Sequence, residues 1–162
     1  PIRNRANNQH LKEAFLSGVL DFITTDHSPA PASIKEITSG NLKKAWGGIA
    51  GIQFLLTASW TALKDLMTLE QFIPLVTSKP AKFLKADKKG TIAVGNDADI
   101  VIWNPSQTQV IQESDIFFKH KISPYIGQEL NGVVLETIVN GQTVYQNRTI
   151  QNKNKGQWLL RK

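Results

Sequence analysis

The sequence predicts an α/β chain in two parts, helical around one short strand over residues 1–88 and built of short strands and turns over residues 89–150, with a basic tail over residues 151–162. Three observations predict it. Apolar residues recur at helical spacing in three stretches before residue 77. One β-prone run, Asp21-Phe22-Ile23-Thr24-Thr25, stands among them. From Gly90 the apolar period changes to two.

The elements follow in order. Leu11, Ala14 and Phe15 share one face of a helix over residues 10–17, and Gly18 is a natural stop. The strand at 21–25 ends in Asp26-His27-Ser28-Pro29, and a loop runs on through Pro31, Ser39 and Gly40. A second helix, about 49–64, is apolar around much of its girth and is expected to be buried, with Trp46 and Trp60 as packing residues. Thr68-Leu69-Glu70-Gln71 reads as a capping box, Pro74 kinks or limits the helix that follows, and Pro80 sits in the first turn of another. Thr91-Ile92, Ile100 to Trp103, Val133 to Val139 and Thr143 to Tyr145 read as strands, the last two joined by an Asn140-Gly141 hairpin turn.

Composition narrows the class. A chain of 162 residues buries about 68–70% of its unfolded surface, as one ordinary domain does. Hydrophobic content is 41% and charged content 20%, values of a globular protein rather than a disordered one. Absence of cysteine excludes a disulfide framework, a thiolate metal site and a cysteine nucleophile, and fits a cytoplasmic home. The net charge of +6 is spread along the chain and is not interleaved with aromatics as in a nucleic-acid module, so a solvated surface is expected and no nucleic-acid partner. The most apolar run, Ile49 to Leu63, is too short and too polar for a membrane span, and no signal peptide is read at the start.

Asp26 and His27 stop the strand, and two readings of them stand side by side. An Asp after a strand commonly forms an Asx-turn, with the His incidental. At the C-terminal end of a strand in an α/β barrel, the same carboxylate would face an active site, where it can bind a hard divalent metal and accept a proton. The histidines His10, His27 and His120 show no His-x-His or His-x3-His spacing, so one candidate ligand stands without partners.

The segments "PIRNRANNQHL", "DFITTDHSP", "KAWGGIAGIQ", "KPAKFL", "KKGTIAVGNDADIVIWNP", "HKISPYIG" and "TIVNGQTVYQN" follow one another along essentially the whole chain. In this order they resemble the C-terminal part of allantoinases, cyclic amidohydrolases of the metal-dependent amidohydrolase superfamily. Gly90 to Pro105 is generic to the superfamily, whereas "TDHSP", "AWGGIAG" and "HKISPY" are narrower. The resemblance implies the C-terminal part of a (β/α)8 TIM barrel, with residues 21–25 as its last strand, plus the C-terminal part of a small β-sandwich. It implies a site of two divalent ions, zinc foremost, held by a His-x-His pair, a carboxylated lysine, two more histidines and one aspartate. The aspartate matches Asp26, implied to be both metal ligand and catalytic proton shuttle. The other ligands have no counterpart in these residues.

The same resemblance places Gly47 and Gly48 where related enzymes offer backbone groups to the cyclic amide; a plain helix entry is the alternative. His27 supports the ligand from behind or packs in the core, Arg3 borders the pocket or lies on the surface, and His120 is structural. The implied function is hydrolysis of the cyclic amide of allantoin to allantoate in ureide degradation. The implied partners are that small substrate and, in full-length form, further copies of the same protein. As a fragment lacking most metal ligands, the chain alone is expected to be inactive. Hydantoinases or dihydropyrimidinases and dihydroorotases are the alternative relatives. Dihydroorotases resemble "DHAPH" at this loop, with a histidine gripping the substrate carboxylate where this chain has Ala30. A non-catalytic remnant or interaction module is the reading from another class, because a barrel piece leaves strand edges unpaired and is marginally stable alone.

Overall fold

The computed structural model describes residues 4–151 and 156–159. Arg3 and most of the basic tail lie outside the described residues. Helix α1, Arg5–Leu16, begins five residues before the predicted start because Asn4 caps it, its side-chain oxygen accepting the Asn7 N–H at 2.9 Å. Gly18 ends it at φ 74, as only glycine does without cost.

Residues 21–25 run extended but form no strand ladder among the described residues, contrary to the expectation. A strand exists by pairing, and the neighbours are few here. Ile23 donates its N–H to the Leu75 carbonyl at 3.0 Å, and a single parallel bridge joins His27 to Ile49. That bridge also displaces the second predicted helix. Its first turns are instead an irregular stretch with Gly48 at φ 82, then a 3-10 turn over Ile52–Phe54. Helix α2 spans only Leu55–Leu63. Ile49 and Ile52, predicted as buried, are therefore exposed, and Trp46, predicted as a packing residue, is 59% exposed.

Helix α2 organises the interior. Phe54 at its entry packs with Ile111, Ile116 and Leu130. Trp60 and Leu63 pack with Phe72, against which Ile23, Ile73 and Trp103 also lie. Three hydrogen-bonding groups tie the helical region to the strands. The Trp60 indole N–H reaches the Pro105 carbonyl at 3.0 Å, and the Thr61 hydroxyl accepts the Asn131 N–H at 2.7 Å. The Gln53 amide donates to the Asp115 carbonyl at 2.5 Å and accepts the Phe117 N–H at 3.0 Å. Helix α3, Leu69–Val76, starts in the predicted capping box, with Thr68 and Gln71 serving each other's backbone. It ends two residues after Pro74, and α4, Ser78–Leu84, follows with Pro80 in its first turn.

The strands β1 (Ile100–Val110), β2 (Glu129–Val139), β3 (Gln142–Gln146) and β4 (Thr149–Ile150) form one antiparallel sheet in sequence order. Strand β1 is an edge, which suits Pro105, a residue unable to donate to a ladder; the register slips around it. Gly132, at φ 91, lies under Trp103, whose ring stands 2.5 Å from where a Cβ would be. The Asn140-Gly141 turn has φ of 49 and 75, both positive, as the sequence predicts for this hairpin. Thr91-Ile92 is not a strand; it lies in a loop, where Asn96 holds the Thr91 carbonyl at 3.0 Å and competes with any ladder.

Candidate functional site

Asp26 closes the extended stretch in the left-handed region, at φ 45, with its side chain exposed. Aspartate tolerates that region better than most residues. The reversal turns the chain out of the strand direction and lets His27 meet Ile49. Ser28 then donates its N–H to the Ile49 carbonyl at 3.0 Å. One residue before the bridge on either segment stand Asp26 and Gly48, both at positive φ. The fold thus brings the Asp26-His27 stretch to the Gly48-Ile49 stretch, more than 20 residues further along the sequence.

His27 is half-buried and its Nδ1 accepts the Ile52 N–H at 3.2 Å. A neutral ring that accepts at Nδ1 carries its proton on Nε2. Its face is fixed by Phe118, whose ring meets it edge-on at 5.7 Å between centroids. His27 therefore holds the loop after the strand to the turn that begins the 3-10 segment. His120, in the same loop as Phe118, is half-buried, and its carbonyl accepts the Ile122 N–H at 2.7 Å.

Gly47 and Gly48 lie in the irregular stretch rather than in a helix entry. Gly48 is constrained twice, by its positive φ and by Ser28: a Cβ on Gly48 would stand 2.5 Å from the Ser28 Cβ and Oγ. Sequence reasoning did not find the residue that holds these glycines. Lys35, on the intervening loop, donates from Nζ to the Gly47 carbonyl at 3.0 Å and to the Gly48 carbonyl at 2.6 Å. A lone lysine in a polar loop carries no local pattern that would signal this.

Asp26 offers a hard oxygen at an exposed position, but no group of three or more His, Cys, Asp or Glu side chains gathers among the described residues. These residues alone do not fit a divalent ion. A cavity of about 870 Å³ lies between α2, α3 and the sheet, with Leu56, Ile73, Val76, Ile92, Val101 and Trp103 in its wall and neither Asp26 nor His27 among its lining. Its charged members, Lys89, Asp97 and Asp99, are paired with one another. Among the described residues no helix is long and apolar enough to cross a membrane.

Known proteins resemble the chain throughout. It is 40% identical over 148 residues to an allantoinase of Arabidopsis thaliana, covering 90% of this chain and 29% of that protein. It is 34% identical over 164 residues to an allantoinase of Escherichia coli, covering 99% of this chain and 36% of that one. In structure it superposes on an L-hydantoinase (dihydropyrimidinase) from Arthrobacter aurescens with a TM-score of 0.86 at 29% identity, covering 94% of this chain and 35% of that chain. The chain thus spans about a third of the length of the relatives it matches. The profile of the Amidohydrolase family matches residues 3–144, and with these likenesses in sequence and fold it follows that the chain belongs to that family.

Proposed function

We propose that this chain is the C-terminal part of a cyclic amidohydrolase of the allantoinase type, which opens the ring of allantoin to allantoate. The observation that carries the reading is the placement of Asp26. It is an exposed carboxylate in a left-handed turn, one residue before the His27–Ile49 bridge, in a sequence up to 40% identical to allantoinases. In this reading residues 1–88 are the end of a (β/α)8 barrel and 21–25 its last strand. The extended course of 21–25 and the parallel His27–Ile49 bridge support that. Residues 89–150 are the end of a β-sandwich, which the antiparallel sheet supports. The apolar cavity between them is interior surface that other segments of a longer protein fill.

Asp26 would offer one oxygen ligand to a divalent metal, zinc by family likeness, and would carry a proton between the attacking water and the leaving nitrogen. The remaining ligands lie outside these 162 residues. Gly47 and Gly48 present backbone to the cyclic amide, and His27 fixes the loop that carries Asp26. Allantoin is favoured over dihydroorotate by Ala30, which is buried at 5% exposure and offers nothing to a substrate carboxylate.

The test is direct. The full-length gene product loaded with zinc should convert allantoin to allantoate, and Asp26→Asn should lower kcat by about a hundredfold or more, the usual contribution of a positioned proton carrier. The 162-residue chain with added Zn, Co or Mn should not turn over. Enzymatic turnover by that chain, or full activity of the Asp26→Asn protein, would remove Asp26 and its missing partners from the mechanism.

A further inference from the structure

We infer that Lys35 is a positioning residue that sets the Gly47–Gly48 turn; its effect on substrate rests on the reading just given. Its ammonium bridges two successive carbonyls, of Gly47 at 3.0 Å and of Gly48 at 2.6 Å. Charge-assisted bonds of this kind are about twice as strong as neutral ones. Two successive carbonyls facing one cation are an uncommon arrangement for a chain to hold by itself, and the left-handed φ of 82 at Gly48 is what permits it.

Three further contacts show that the turn is built rather than incidental. Trp46 donates its N–H to the Ile34 carbonyl at 2.7 Å, so residues 34–35 grip residues 46–48 at adjacent points. Ser28 stands against Gly48 on the other side. Ser28 also holds Ile49 by its backbone. The loop over residues 36–45 is therefore closed at its neck, and the His27–Ile49 bridge joins that neck to the stretch that carries Asp26. A trans peptide points its N–H opposite to its carbonyl. With the Gly47 carbonyl drawn to Lys35, the N–H of Gly48 is turned to the opposite side and polarised as a donor. Lys35 thereby determines which backbone edge meets the ring of a cyclic amide: an N–H that donates to a ring carbonyl.

Two variants of the full-length gene product test this. Lys35→Met keeps the stem and removes the charge, and Lys35→Arg keeps a cation with several donors. The first readout is amide hydrogen exchange without metal or substrate. Lys35→Met should speed exchange of the Trp46 amide, held by the Ile34 carbonyl beside Lys35, about tenfold or more, the effect of losing a bond to a charged group, and leave α2 and the sheet unchanged. Lys35→Arg should restore protection. Unchanged exchange of the Trp46 amide in Lys35→Met overturns the inference, whatever the activity. The second readout is turnover of allantoin. Lys35→Met should raise KM about tenfold with kcat nearly unchanged, since the turn binds the ring and takes no part in proton transfer, and Lys35→Arg should return KM toward the parent value. A fall in kcat at constant KM overturns the positioning role. If the parent protein does not open the ring while exchange responds as described, the turn-setting role of Lys35 stands and the proposed activity falls.

Discussion

Gly48 shows how much a single position can be asked to do. Its φ of 82 is a conformation that residues with a Cβ rarely adopt, and the space where a Cβ would go is filled by Ser28. The two constraints are separable. In the full-length protein Gly48→Ala should cost about 2–4 kcal/mol, combining backbone strain with a steric overlap. In a Ser28→Gly background the overlap is removed and the strain remains, so the cost should fall to about 1–3 kcal/mol. Denaturant unfolding of the four proteins of this cycle measures the difference. Equal costs in both backgrounds would mean that Ser28 relaxes freely and does not fix the turn. Asp26 and His27 are bound by the same logic: each occupies a position whose backbone is set by a partner on the 47–52 segment rather than by its own neighbours in sequence.

At the scale of elements, the loop over residues 88–99 and the β2–β3 turn are clasped by charge. Lys89 lies 2.9 Å from Asp97 and also pairs with Asp99, and Asp99 Oδ1 accepts the Asn140 N–H at 2.7 Å. The Gly141 N–H completes the clasp at the Ala98 carbonyl, 2.9 Å away. The hydrogen bond from Lys89, followed by that from Asn140, lowers the Asp99 pKa, and the bonds to Asp99 and then Asp97 raise that of Lys89. The sign of the linkage follows from these directions. Asp99 stabilises the fold above its unfolded pKa of about 3.9 and loses that contribution as pH falls through its lowered folded value. Lys89 stabilises it below about 10.4 and loses that contribution as pH rises through its raised folded value. The side chains remain 25% and 34% exposed, so solvent screens the pair. Lys89→Met should cost about 1 kcal/mol at neutral pH. It should also flatten the acid limb of the stability profile, because two carboxylates left without a cation gain from protonation. Superimposable profiles for parent and variant would show that the clasp carries no net energy.

At the scale of the whole molecule, the legible parts of the sequence are those whose cause is local. The Asn140-Gly141 turn, the Thr68–Gln71 box and the limit set by Pro74 are each specified within four residues, and each stands where the sequence puts it. The illegible parts have distant causes. Apolar periodicity over 49–54 reads as helix, yet the His27–Ile49 bridge and the Gly48 backbone hold that stretch out of it. Lys35 has no motif because its partners are 12 and 13 residues away. Asp26 stands out only by its place at the end of a β-prone run, and residues 21–25 lack a ladder because few partners are present. The same shortage of partners leaves Val19, Phe83, Leu84 and Ile92 each more than 60% exposed and the cavity beside Trp103 lined by apolar side chains. Surfaces of that kind on an isolated chain favour association. The 162-residue chain by itself should therefore sediment as a mixture of associated species and melt broadly, whereas the full-length protein should sediment as one discrete species and melt sharply. Sedimentation velocity and calorimetry on the two proteins decide it. A monodisperse 18.0 kDa species with a sharp cooperative melt would show that the two packed clusters around α2 suffice to hold the chain together, and that its bare faces are ordinary protein surface.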